Sequence, residues 1–107
     1  MSKNLGTLEE TILLMVAVMQ SEAYGYSLSE EYKRTFGNEI SISAVHTVLK
    51  RLEKKGFILS EMGGATTERG GRRKRIFKIT SLGMNTLHAL QDNRMKLWRM
   101  MPNVKLS

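Results

Sequence analysis

Helical spacing of the apolar residues is interrupted once in this chain, and that interruption constrains the fold more than any other feature. After Gly56 the segment Phe57 to Met62 reads as a strand, residues 63–71 as a loop, and Arg72 to Thr80 as a second strand. The loop carries a glycine pair at each end, Gly63-Gly64 and Gly70-Gly71. Helical patterns lie on both sides of this hairpin. The expected order is helix, helix, helix, strand, strand, helix, a mainly α fold with a small β-hairpin.

Each helix carries its own start and stop signals. Thr7-Leu8-Glu9-Glu10 has the form of a capping box, with Thr7 as N-cap, and predicts a first helix from about Leu8 to Gln20. Its second half, Ile12 to Met19, is apolar on every side, which predicts a central buried helix. Ser27-Leu28-Ser29-Glu30 repeats the capping signature, and Leu28, Tyr32 and Phe36 follow at i, i+4 and i+8. Gly37-Asn38 closes that second helix. A third helix starts near Ser41 or Ser43, buries Val45, Val48, Leu49 and Leu52 at i, i+3, i+4 and i+7, and stops at Gly56. Thr80 or Ser81 caps a last helix that runs to about Met101, with Pro102 beyond it.

At 107 residues the chain has room for one modest core. Residues 1–80 are expected to form one compact unit with residues 81–107, the latter a C-terminal dimerisation helix. The apolar run Ile12 to Met19 does not make a signal peptide, because Glu9 and Glu10 stand where positive charge is needed. Nor does it span a bilayer, which takes about 20 apolar residues. No cysteine occurs, so disulfides and thiolate ligands are excluded. The expectation is a soluble cytoplasmic protein with no membrane partner and no cofactor.

The net charge of +7 points to a polyanionic partner, and its distribution is more telling than its total. Residues 1–39 hold six glutamates against three cations, a net of −3, so residues 40–107 carry +10. From Arg69 to Lys78 six cations meet no acid. The outward face of the third helix presents Ser43, Ala44, His46, Thr47, Lys50, Arg51 and Lys54, also without an acid.

Three helices followed by a hairpin is the layout of a winged helix-turn-helix, in which the third helix enters the major groove of duplex DNA. Ser43, Ala44 and Thr47 are short enough to approach base edges, and Lys50 and Arg51 suit phosphates or guanine. The wing Arg69-Gly70-Gly71-Arg72-Arg73-Lys74 puts cations on a glycine-bearing tip that can come close to the DNA backbone. His46 has no second ligand at metal-binding spacing, and His88 reads as a plain exposed helical residue. No serine-histidine-acid set, phosphate loop or dinucleotide fingerprint occurs, so an enzyme is not expected.

Three separated motifs carry a resemblance: Tyr24-Gly25-Tyr26, the stretch from Ser41 to Gly56, and Glu68-Arg69-Gly70-Gly71-Arg72-Arg73-Lys74-Arg75. Together they resemble the PadR family of transcriptional regulators, over about Leu5 to Leu90. The resemblance implies a dimeric winged-helix repressor. It also implies that Ser43, Ala44, His46, Thr47 and Lys50 face the groove, that Arg72, Arg73 and Lys74 face the backbone, and that a Tyr24 or Tyr26 hydroxyl reaches a phosphate, against which a packed turn is the competing reading, above all for Tyr26. One departure is His46, where the family usually has tyrosine.

In the last helix Met84, Leu87, Leu90, Gln91, Arg94, Met95, Leu97, Trp98 and Met101 share one half of the wheel. So small a monomer has little to cover this stripe, which predicts a self-pairing helix and a homodimer, with a stripe folded back on its own domain as the alternative. The resemblance adds that compact members dimerise through this helix and the first one, and bind flat aromatic compounds in the gap between subunits. Trp98 is the candidate for a small aromatic effector there, with ordinary interface packing as the competing reading. Two rivals share the charge and the stripe: a basic RNA-binding protein, and a protein-interaction module whose last helix meets a different partner. Against the first, Phe57 and Phe77 alternate into the expected core rather than onto an exposed sheet.

Overall fold

A computed structural model describes residues 5–65 and 73–106. Four helices and one hairpin follow in the expected order: α1 Thr7–Met19, α2 Gly25–Phe36, α3 Ile42–Lys54, β1 Ile58–Ala65, β2 Arg73–Ile79 and α4 Ser81–Met100. A 3₁₀ turn, Gln20–Glu22, links α1 to α2. The strands pair antiparallel from Ile58↔Ile79 to Met62↔Arg75, and again at Ala65↔Arg73. Three helices followed by a two-stranded wing make this a winged helix-turn-helix.

The stripe on α3 is buried as its spacing requires, with Val45, Val48, Leu49 and Leu52 at no more than 5% exposure. It packs on Ile12, Leu13 and Val16 of α1, Leu28 of α2, and the hairpin residues Phe57, Ile58 and Phe77 in one continuous core. Removing this much apolar surface from water is the main stabilising term. Among the described residues no charged or polar side chain is buried in it. The Phe77 amide also donates to the Ala23 carbonyl at 2.9 Å, so the segment before α2 is tied to the open edge of β2.

Three local expectations shift. The first helix begins at Thr7, with Gly6 as its N-cap, and Glu9 rather than Glu10 reaches back to the Gly6 amide at 3.0 Å. Glu10 is engaged elsewhere, by Arg94. The second helix begins two residues before Ser27: Tyr24 is the N-cap, and the Ser27 hydroxyl accepts from the Tyr24 amide at 3.0 Å and donates to the Glu22 carbonyl at 2.6 Å. Strand β1 continues through Gly63 and Gly64 to Ala65 instead of ending at Met62. The ladder absorbs the extension as a bulge, with Gly63 and Gly64 both opposite Lys74.

The first helix is not buried all round. Ile12, Leu13, Met15 and Val16 face the core, but Leu14 is 45% and Val18 77% exposed. With Met84, Leu87, His88 and Gln91 of α4 these two residues line a shallow groove between the helices. Helix α4 docks by its first two turns. The Thr80 hydroxyl accepts from the Gly83 amide at 3.0 Å as N-cap and donates to the Gly56 carbonyl at 2.7 Å, and the Thr80 amide donates to the Phe57 carbonyl at 3.0 Å. Gly83 lies so close to that same carbonyl that a Cβ would stand 2.3 Å from it. Beyond Leu90 the helix leaves the core and its residues are mostly exposed.

Candidate nucleic-acid interface

Helix α3 starts where Ser41 stops its extended backbone and its hydroxyl accepts from the Ala44 amide at 3.0 Å. With the apolar stripe inward, Ser43, His46, Thr47, Lys50, Arg51 and Lys54 are all exposed, and Ala44 is half-exposed. Ser43, Thr47, Lys50 and Lys54 lie at the centre of that face, which runs from short polar side chains to cations over three turns. The Thr47 hydroxyl donates to the Ser43 carbonyl at 3.1 Å, leaving its lone pairs outward. Lys54, placed on this outward face by the sequence but given no contact there, extends it by a further cation.

His46 and Arg51 sit on its two margins. The His46 imidazole lies over the start of α2, where a Cβ on Gly25 would come within 2.5 Å of its Nε2. A glycine at that position therefore lets the two helices approach. Arg51 faces α1, where Glu9 accepts from the Lys55 ammonium at 2.8 Å. Burial disfavours the Glu9 carboxylate. The Lys55 hydrogen bond, the Gly6 amide, and the charges of Lys55 and Arg51 outweigh it and hold Glu9 below its ordinary pKa.

The wing flanks this face. Of its expected contact residues, Arg69, Gly70, Gly71 and Arg72 lie outside the described residues. Arg73 is exposed, and its Nε donates to the Gly63 carbonyl at 3.1 Å. Lys74 has its ammonium 3.9 Å from the centre of the Tyr24 ring. Arg75 donates to the Ser60 hydroxyl at 3.0 Å, which donates to Glu53 at 2.7 Å, so the α3 acid beside the wing is engaged within the protein. Tyr24 is buried to 7% exposure, whereas Tyr26 is 43% exposed at the start of α2.

The residues singled out on α4 divide. Leu87 lies in the chain's own core and Leu90 is half-buried. Met84, Gln91, Arg94, Leu97, Trp98 and Met101 are exposed, Trp98 at 65%. Arg94 holds both oxygens of Glu10, at 2.9 and 3.1 Å, and straps the middle of α4 to α1. Among the described residues no group of three histidines and carboxylates is placed to hold a metal, and no helix is long and apolar enough to cross a membrane.

A basic third helix beside a basic wing, on this fold, defines a DNA-binding winged-helix transcription regulator. The model of the PadR-like family of transcriptional regulators matches residues 13–89, and the chain belongs to that family. No curated protein matches it. Among solved structures, a PadR-like transcriptional regulator from Bacillus cereus is 23% identical with a TM-score of 0.71, over 89% of this chain and 87% of that one. A PadR-like transcription factor from Bacteroides fragilis reaches a TM-score of 0.75 at 21% identity, over 89% and 86%. A Streptococcus mutans protein is similar over the whole of both chains, 100% of each, at 24% identity and a TM-score of 0.67.

Proposed function

We propose that the chain acts as a homodimeric repressor that places α3 in the major groove of duplex DNA and the wing along the backbone. The observation that carries this reading is the face of α3 itself: Ser43, Thr47, Lys50 and Lys54 are exposed together, no acid lies among them, and Glu53 beside them is tied to Ser60. Short side chains at the start of the helix suit base edges, and the cations that follow suit phosphates or guanine. Arg73, with Arg69 and Arg72 of the wing sequence, supplies backbone contacts that carry no sequence information. Tyr26 offers a phenol at the start of α2.

Pairing of two copies through α4 and α1 is supported by the exposed apolar residues that line both helices, Leu14 and Val18 on one and Met84, Leu97, Trp98 and Met101 on the other. Residues 1–80 then form the DNA-binding unit and residues 81–107 the dimerisation helix. Trp98, exposed in the protomer, would line the gap between subunits and offer a stacking face to a flat aromatic effector. The reading assigns the chain binding rather than catalysis.

The test is titration of duplex DNA and of single- and double-stranded RNA at several salt concentrations. The expected result is duplex DNA binding whose logarithmic affinity falls linearly with the logarithm of salt. Once an operator has been captured from the genome, Thr47→Ala and Lys50→Ala should each cost about 1–3 kcal/mol at that site and much less on random sequence. Preference for RNA would overturn the proposal in favour of the RNA-binding reading.

A further inference from the structure

The hairpin is anchored at two points on the segment that leads into α2. One is a main-chain hydrogen bond, from the Phe77 amide to the Ala23 carbonyl at 2.9 Å. The other lies three residues nearer the tip, where the Lys74 ammonium rests 3.9 Å from the centre of the Tyr24 ring. Tyr24 cannot yield easily. It is the N-cap of α2, its ring is buried to 7% exposure, and its carbonyl accepts from the Leu28 amide at 2.9 Å. Lys74 meanwhile stands where the strand ladder is weakest, alone on β2 against Gly63 and Gly64 of the bulge. A bulge lets a hairpin bend and lacks the paired hydrogen bonds that would fix the direction of the bend. A contact made at that residue, to a ring that belongs to the helical body, supplies what the ladder omits.

We propose that Lys74 and Tyr24 are positioning residues of the wing, a cation–π clamp across the bulge that sets the direction in which β2 leaves the body, and not phosphate contacts. This rests on the DNA-binding reading above and reassigns two residues within it. The Lys74 charge is directed at the ring, and the Tyr24 ring presents its face to the wing. The clamp organises the wing before DNA arrives, so its loss adds an ordering cost to binding that does not depend on salt. A lost phosphate contact behaves differently, because it lowers the salt slope by about 0.9.

The experiment is binding of the full chain to a mixed-sequence duplex across a salt series. Tyr24→Leu, which removes the ring but no charge, is expected to weaken binding about 2–5-fold with an unchanged slope, in keeping with the size of a cation–π contact whose cation is still partly solvated. Lys74→Met should weaken it to the same extent and add nothing when combined with Tyr24→Leu. Tyr24→Phe and Lys74→Arg, which keep a ring face and a cation, should bind as the parent does. A slope reduced by about one in Lys74→Met would make Lys74 a phosphate contact and overturn the clamp, and weakened binding by Tyr24→Phe would do the same for the hydroxyl. Should the parent protein bind no duplex at all, the DNA reading falls, and the clamp is then decided by thermal unfolding. Lys74→Met should lower the melting temperature of the parent but not of the Tyr24→Leu protein, and equal lowering in both would overturn it.

Discussion

Replacing Gly83 by alanine inverts an ordinary rule. In an exposed helix interior the change stabilises by up to about 1 kcal/mol, because alanine has less backbone freedom to lose. At Gly83 the added carbon would stand 2.3 Å from the Phe57 carbonyl oxygen and 2.7 Å from Cγ1 of Ile79. The nearer neighbour is main chain and cannot rotate aside, so α4 or the turn at Phe57 must shift by roughly an ångström. Overpacking of that kind costs about 1–3 kcal/mol. The same shift stretches the Thr80 hydrogen bonds to Phe57 and Gly83, both 3.0 Å, each contributing about 1 kcal/mol. After the helix-forming gain is subtracted, the net loss is roughly 2–4 kcal/mol, or a melting temperature lowered by roughly 10–30 °C for a domain of this size. Thermal unfolding followed by circular dichroism, at one protein concentration throughout, measures it. Asn85→Ala, an exposed change on the same turn, is the control and should raise the melting temperature slightly. A Gly83→Ala protein that melted at or above the parent would refute the close approach of α4 to the hairpin root.

Three further outcomes follow from particular contacts. The Glu9 carboxyl is held below its ordinary value in the folded chain, so its pairing with Lys55 stabilises the fold above the unfolded pKa near 4.5 and is lost as pH falls through the lower folded value. Glu9→Gln should therefore flatten the acid side of a stability-against-pH curve, and an unchanged curve would remove Glu9 from the account. Truncation after Thr80 should yield a monomer by sedimentation and weaken operator binding at least tenfold, since two half-sites are no longer linked. Flat aromatic compounds should quench Trp98 fluorescence saturably and release DNA over the same concentrations, and quenching without release would leave a pocket that does not regulate.

The order of elements and the core were legible because they rest on spacing. Val45, Val48, Leu49 and Leu52 can share a face only on a helix, and Phe57, just before β1, and Phe77 on β2 reach the core from the two sides of the hairpin that the glycine pairs mark. Boundaries were less legible where two residues compete for one role. Glu9 and Glu10 both suit a capping box, and the choice depends on Arg94, eighty-four residues away from Glu10. Ser27 has the chemistry of an N-cap, but burial of the Tyr24 ring turns the chain into α2 earlier. The exposed face of α3 was readable residue by residue. The pairing of Lys74 with Tyr24 was not, since nothing in either local pattern records which ring a wing cation will meet. Leu14 and Val18 were read as buried because an all-apolar run carries no mark of the side that is left exposed.

The Thr80 hydroxyl donates to Gly56, just past the end of α3, and accepts from Gly83 at the start of α4, while the residue itself follows directly on β2. In a symmetric pair this makes α4 a lever with its fulcrum at the hairpin root. The helix has 20 residues and is about 30 Å long, so a tilt of about 6° at the joint displaces its far end by about 3 Å, close to the ~3.4 Å rise of one base pair. Because Thr80 also bonds the end of α3, such a tilt would reappear as a change in the distance between the two α3 helices of the proposed dimer. In the proposed dimer, the half-site spacing it accepts would then depend on the angle at which a threonine holds two helices together, far from the residues proposed to meet bases.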